Sequence, residues 1–191
     1  MMPSIEVPIE VSARHLHLCQ EHVEALFGEG YELTAKRELS QKGYFVTVER
    51  VEVIGEKSSA MFSILTPLRK KTQVEMAITD ARKLGVRPVV RMSGNLTGSA
   101  PIRLKGPKGE LDLSEGAIIA KRHIHMSTAL AEAHGLKTGD EVLVAIPGER
   151  GATLSHVVIS ADPTFDLTMH IDTDEGNALN IAPDTFGTVI L

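Results

Sequence analysis

"ARHLHLCQ" spans residues 13–20 and "KRHIHMST" spans residues 121–128. Each holds an Arg followed by two His that flank one apolar residue. Each follows a strand-like run and precedes a helix-like one. The order strand, Arg-His-x-His-apolar, short helix, Gly, strand is common to both, so we read an internal repeat. The expected architecture is mainly β: two similar β-rich units, divided near residues 100–117. Taken as domains, these are residues 1–105 and 106–191, with strands open to exchange between them. A single larger mixed sheet is the alternative.

The flanking segments support strands. "IEVPIEV" (5–11) sets Ile5, Val7, Ile9 and Val11 on one face, and Pro8, lacking an N–H, suggests an edge. "QEHVEALFG" (20–28) reads as a short helix with Val23, Leu26 and Phe27 as its apolar stripe and Gly28 past its end. "GYFVTVERVEVIG" and "SAMFSIL" have period two. "TQVEMAIT" (72–79) places Val74, Met76 and Ile78 opposite Glu75, and "DARKLG" (80–85) reads as one helical turn from Asp80 to Gly85. "IRLKGPKGELDL" (102–113) is a hairpin about "GPKG", and "GAIIA" leads into the second histidine pair. In the second half, "STALAEAHG" is a helix capped by Ser127 and stopped by Gly135. "GDEVLVAI", "ATLSHVVIS", "LTMHID" and "GTVIL" are strands. Many short strands with few helices indicate a sandwich or barrel.

Composition narrows the function. With 42% hydrophobic residues, the 191-residue chain can bury a real core, and with 4% aromatics that core must be aliphatic. A net charge of −5 argues against nucleic acid, which requires a basic face. Cys19 is the single cysteine, so no disulfide forms and no thiolate zinc site is available. No apolar run approaches membrane length. "MMPSIEVPIEV" has no signal-peptide pattern, so a cytoplasmic protein is expected.

Residues i and i+2 of a strand point to one face, roughly 6.5–7 Å apart. His15 with His17, and His123 with His125, can therefore converge on one ion each. One His-x-His is commonly a surface or packing feature; two in matching contexts point to ligation. His170, ending a strand before acidic residues, is a fifth imidazole, with a satisfied strand-end histidine as its plain reading. Glu75, between apolar neighbours, adds a carboxylate, although an isolated Glu there reads as solvated. Five imidazoles and one carboxylate exceed one tetrahedral site and suit two neighbouring metals with open positions. Zinc fits, and Co, Ni, Mn or Fe are not excluded by the ligand types. His22, His134 and His156 read as structural, with His22 facing solvent or capping a carbonyl, and Cys19 as part of a helix start. In "PLRKKTQVE" (67–75), Arg69 can reach the metal cleft and hold a phosphate bidentately. "MSGNLTGS" (92–99) could offer backbone amides to an anion but matches no Walker loop.

Together "SARHLHL", "LRKKTQVE", "RHIHM" and "MHIDTDEGNA" resemble the phosphate propanoyltransferases, the phosphotransacylases of the propanediol-utilisation type. The four motifs stand in the family's order across nearly the whole chain. The resemblance implies two β-barrel units capped by short helices, with an active site holding two zinc ions between them. By motif match it implies His15, His17, Glu75, His123, His125 and His170 as metal ligands and Arg69 as the catalytic phosphate-binding residue. It implies Ser12, Arg14 and Asn177 along the coenzyme A pocket. Family members within bacterial microcompartments carry an amphipathic N-terminal extension, which this chain does not show, so a free cytosolic form is expected. The segment before Arg69 reads "SILTP" where the family suggests a Gly near Thr66.

The expected reaction is acyl-CoA plus phosphate giving acyl phosphate plus CoA, with small-molecule substrates, no nucleic acid and no membrane. Homo-oligomerisation and acyl chain length stay open. The alternative is a metallohydrolase acting on a phosphoester or thioester. A third reading is a non-enzymatic barrel module, from the Gly-Asp box in "GLKTGDEVLV" (135–144).

Overall fold

A computed structural model describes residues 4–191. The reading of the N-terminus as leaderless falls in part on residues 1–3, outside the described residues. In chain order the strands and helices begin with β1 (Ile5–Ser12), β2 (His15–His17), α1 (Gln20–Phe27), β3 (Ala35–Glu38), β4 (Phe45–Ile54) and β5 (Ser59–Thr66). β6 (Gln73–Glu75), α2 (Ile78–Leu84), β7 (Val89–Arg91), β8 (Ala100–Lys105) and β9 (Glu110–Ala120) follow. The rest are β10 (His123–Met126), α3 (Thr128–Ala133), β11 (Glu141–Ile146), β12 (Ala152–Ala161), β13 (Thr168–Asp172), α4 (Thr173–Leu179) and β14 (Phe186–Ile190). Among the described residues no helix is long and apolar enough to cross a membrane.

The chain forms two compact units, Ala13–Ala120 and the start of the chain through Ser12 joined with Lys121–Leu191. In Ala13–Ala120, β2, β5, β4, β8, β9 and β6 pair in a closed ring, with β3 added to β4 and β7 to β9. In the other unit, β10, β12, β11, β14, β1 and β13 close a second six-stranded ring. Closure leaves no unpaired barrel edge. Each barrel has its own aliphatic core. One centres on Leu16, Leu26, Phe62, Ile64 and Leu104, and the other on Val7, Ile124, Met126, Ile159 and Met169. The mainly β architecture of two barrels with short helices is as expected.

The two rings match strand for strand. Starting from β2, the pairings run parallel, antiparallel, antiparallel, antiparallel, parallel, antiparallel. Starting from β10 they run in the same order. Thus β2 corresponds to β10, β6 to β13, and β9 to β1. The repeat read from two histidine motifs extends to the whole topology of each unit.

Local departures have physical causes. The strand expected over 72–79 stops at Glu75, and α2 begins at Ile78 rather than Asp80. Met76 and Ala77 are buried while Ile78 is 44% exposed, so alternation breaks where the helix starts. Gly85 ends α2 in the left-handed region (φ 79°) with its N–H on the Ala81 carbonyl, as expected for a glycine there. Pro8 is not at an edge: it lies where β14 pairing ends and β13 pairing begins at Ile9. A residue without an N–H is least costly at such a changeover. Val11 is half-exposed rather than core, and Gly176 lies against it. A Cβ on Gly176 would come 2.7 Å from a Val11 methyl, so the missing side chain lets α4 lie on β1.

Candidate active site

The first triad is built on β2, three residues long and fully buried, between parallel β5 and antiparallel β6. His15 stands opposite Glu75, and His17 opposite Gln73. The ligating atoms of His15, His17 and Glu75 all lie within 4.8 Å of one another. His15 Nε2 is 3.6 Å from Glu75 Oε2. Glu75 is 9% exposed, so the solvated carboxylate expected of an isolated Glu is not what forms. His15 turns Nδ1 to the Ala13 carbonyl at 2.8 Å, which leaves Nε2 for a ligand. Burial, with Arg69 and His15 beside it, drives the His17 imidazole down to about 2. His17 is therefore neutral at ordinary pH, the form that binds metals. Its buried Nδ1 has no hydrogen-bond partner among the described residues, the condition of a group shaped for an ion.

Two side chains fix the carboxylate of this triad. Gln73 Nε2 donates to Glu75 Oε1 at 2.5 Å and Ser93 Oγ donates to the same oxygen at 3.1 Å. Ser93 in turn accepts from Arg69 Nη1 and Gln73 Nε2, each at 2.8 Å, which fills the capacity of one hydroxyl. Gly94 N–H goes to Gln73 Oε1 at 2.7 Å. Arg69 is thus tied to the triad through Ser93. Burial lowers its basicity and Glu75 opposes that effect.

The second triad repeats the frame. His123 stands opposite His170, and His125 opposite Thr168. The ligating atoms of His123, His125 and His170 also lie within 4.8 Å of one another. His123 turns Nδ1 to the Lys121 carbonyl at 2.8 Å, as His15 does to Ala13. Glu75 and His170 occupy the same place in the two units. The resemblance continues outward. Arg14 pairs with Asp80 at 3.0 Å and Arg122 with Glu175 at 3.1 Å. Each Arg directly precedes its first histidine, and each acid lies five residues after the third ligand position.

The remaining expected site residues lie in several places. Ser12 is half-buried at the end of β1, opposite Asp172. Arg14 is exposed, bonded to Asp80, with its guanidinium 5.9 Å from the Phe62 ring centre. Asn177 is exposed on α4. That helix is opened by a capping box of Asp172 and Glu175. His22 is half-buried, and its Nδ1 meets the Thr72 hydroxyl at 2.8 Å rather than a carbonyl. Thr72 also accepts from Cys19 N–H at 3.1 Å, where α1 starts.

Sequence reasoning missed Gln73 and Ser93. Gln73 was within reach of it, since residues i and i+2 of a strand share a face and Gln73 precedes Glu75 by two. Ser93 was not, because its role depends on a loop folding back. The Gly/Ser-rich segment at 92–99 acts here by bracing Glu75 and Arg69 rather than by displaying the Gly94 amide, which Gln73 takes.

Two barrels that each bring three ligand-type side chains together, one with a half-buried Arg attached, fit an enzyme that handles anionic substrates. A family model described as phosphate propanoyltransferase matches residues 8–182. A Lachnoclostridium phytofermentans protein named phosphate propanoyltransferase is 52% identical over 186 residues, 96% of this chain and 87% of the relative. One of that name from Priestia megaterium is 50% identical, covering 97% of this chain and 86% of its own length. Another, from Thermotoga maritima, is 48% identical over 172 residues, 89% of this chain and 82% of its own length. The fold and these similarities define the class: an acyltransferase. The chain belongs to the phosphate propanoyltransferase family. The reading as a non-enzymatic barrel module falls with this. The Gly-Asp box is a turn device, in which Asp140 Oδ2 accepts the Lys137 N–H at 2.9 Å.

Proposed function

We propose that the chain interconverts a short acyl-CoA and phosphate with acyl phosphate and CoA in the cytoplasm, with one zinc ion held by His15, His17 and Glu75 and a second by His123, His125 and His170. The observation that carries this is the duplication of a ligand triad in one register, with Arg69 joined to one of the two. The donor set suits zinc: imidazoles with at most one carboxylate and no thiolate. When bound, such ions supply Lewis acidity toward carbonyl and phosphoryl oxygens.

The side chains supply positioning and charge. Ser93 holds one Nη of Arg69, and the rest of the guanidinium fork is available to phosphate oxygens. Gln73 and Ser93 keep Glu75 from rotating away from the histidines. Ser12, Arg14 and Asn177 are assigned to the coenzyme A side. A phosphate oxygen attacks the thioester carbon; the C–S bond breaks, CoA leaves as thiolate, and acyl phosphate forms. Binding both reactants together removes much of the entropic barrier, and no covalent enzyme intermediate is needed.

The test is acyl phosphate formation by the purified protein from acetyl-, propanoyl- and butanoyl-CoA, with and without phosphate. Strict phosphate dependence is expected. Thioester loss at an equal rate without phosphate would make the protein a hydrolase and overturn the proposal.

A further inference from the structure

The correspondence between the barrels places an unmatched carboxylate behind the second triad. Strand β1 runs parallel to β13, and Glu10 is the direct register partner of His170. Glu10 Oε2 lies 3.6 Å from His170 Nδ1. In the other barrel β9 takes the place of β1, and the register partner of Glu75 is Ile118, which is fully buried. The two positions are equivalent on independent counts, because Glu10 and Ile118 each precede the first histidine of their motif by five residues. Where the third ligand position holds a carboxylate, its neighbour is apolar. Where it holds an imidazole, its neighbour is a carboxylate.

We infer that Glu10 is a positioning residue for His170, holding the imidazole by its Nδ1 edge and raising its strength as a ligand through the other nitrogen. The inference rests on the proposed metal-binding reading of the triads. A ring nitrogen that faces a carboxylate keeps its proton, which fixes the tautomer and leaves Nε2 to ligate. His170 Nε2 is buried. His123 takes this support from the Lys121 carbonyl. For His170 the carboxylate does more, because it also contributes negative charge. The all-imidazole triad thereby gains the single carboxylate that the other triad has in Glu75. Glu10 thus evens the charge offered to the two cations.

The experiment compares zinc binding by the full chain, its Glu10→Gln variant and a Glu6→Gln control. Glu6 lies on the same strand, is exposed, and accepts from Thr188 Oγ1 at 2.8 Å, so its substitution makes the same charge change away from the triad. Competition with a chromophoric chelator should show two tight zinc sites in the parent and in Glu6→Gln. In Glu10→Gln one site should weaken by about 10–100-fold while the other keeps its affinity. Nitrogen-15 histidine spectra of the zinc-loaded parent should show a protonated His170 Nδ1 with a downfield proton, lost in Glu10→Gln. Equal affinities in Glu10→Gln and the parent would overturn the inference. So would a parent spectrum with the His170 proton on Nε2, which needs no variant to fold. A parent that takes up no zinc would instead overturn the reading beneath it.

Discussion

The two barrels carry the same ligand frame but different approach loops. Counting back from the third ligand position, "TPLRKKT" (66–72) in one unit corresponds to "ADPTFDL" (161–167) in the other. Register supports the alignment without a gap, since His15 pairs with Ser63 and His123 with Val158, each twelve residues before its third ligand position. The first loop is basic, and Arg69 reaches the triad through Ser93. The second is acidic and apolar: Thr164 stands at the place of Arg69 and is used locally by Asp162, while the Phe165 ring lies tilted by 35° with its centre 4.2 Å from that of His125. Under the proposed function, the repeated frame gives two ways to hold a cation, and the basic loop of one unit supplies the group that recognises an anion. The frame binds; the loop selects.

The harshest way to break this comparison is to delete matched ligands. His15→Ala and His123→Ala should each lose one zinc per chain by elemental analysis and lower kcat by at least about 100-fold, the scale of losing charge stabilisation at a reacting oxygen. Loss of both ions from either variant would mean the two frames do not act separately. Next in size is the loop. Arg69→Ala should raise the KM for phosphate by about 100-fold, with a smaller change in the KM for acyl-CoA. Arg69→Lys should recover part of this, because it keeps the charge but not the fork. Equal effects on both substrates would remove Arg69 from phosphate recognition.

The frame was legible in the sequence because its signals are local. A His-x-His at strand spacing, an Arg before it, and a helix with a Ser cap and a Gly stop need only their neighbours. The period-two runs of β4, β5, β8 and β11 were legible for the same reason. What was not legible is set by pairing at long separation. Ile5 pairs with Val189, and no local pattern says so. Glu75 is a buried carboxylate only because β2 lies on one side of it and Ser93 folds over it. By composition alone it resembles any solvated Glu on a strand. The start of α2 at Ile78 was hidden by an apolar alternation that continues into the helix.

The smallest expected effect tests whether the likeness of the units extends to their outer ion pairs. Arg14–Asp80 is the more exposed on the Arg side, at 41% against 29% for Arg122. Glu175, partner of Arg122, has its carboxyl raised by burial, which Arg122 opposes. Removing Arg122 leaves a partly buried acid without its cation, at about 1–3 kcal/mol of stability at neutral pH. Removing Arg14 leaves the Asp80 side chain, 13% exposed against 24% for Glu175, without its cation, and should cost a similar amount. The pH dependence separates the two. In Arg122→Ala the Glu175 carboxyl rises further in the folded state, so the folded chain keeps a proton that the unfolded chain releases near the ordinary glutamate value of 4.5. Stability should therefore fall as pH rises from about 4.5 toward the folded value, and the variant should approach the parent in acid. Urea unfolding of both variants between about pH 4 and 8 measures this. A deficit in Arg122→Ala that does not shrink in acid would show that Arg122 acts by packing rather than by its charge on Glu175.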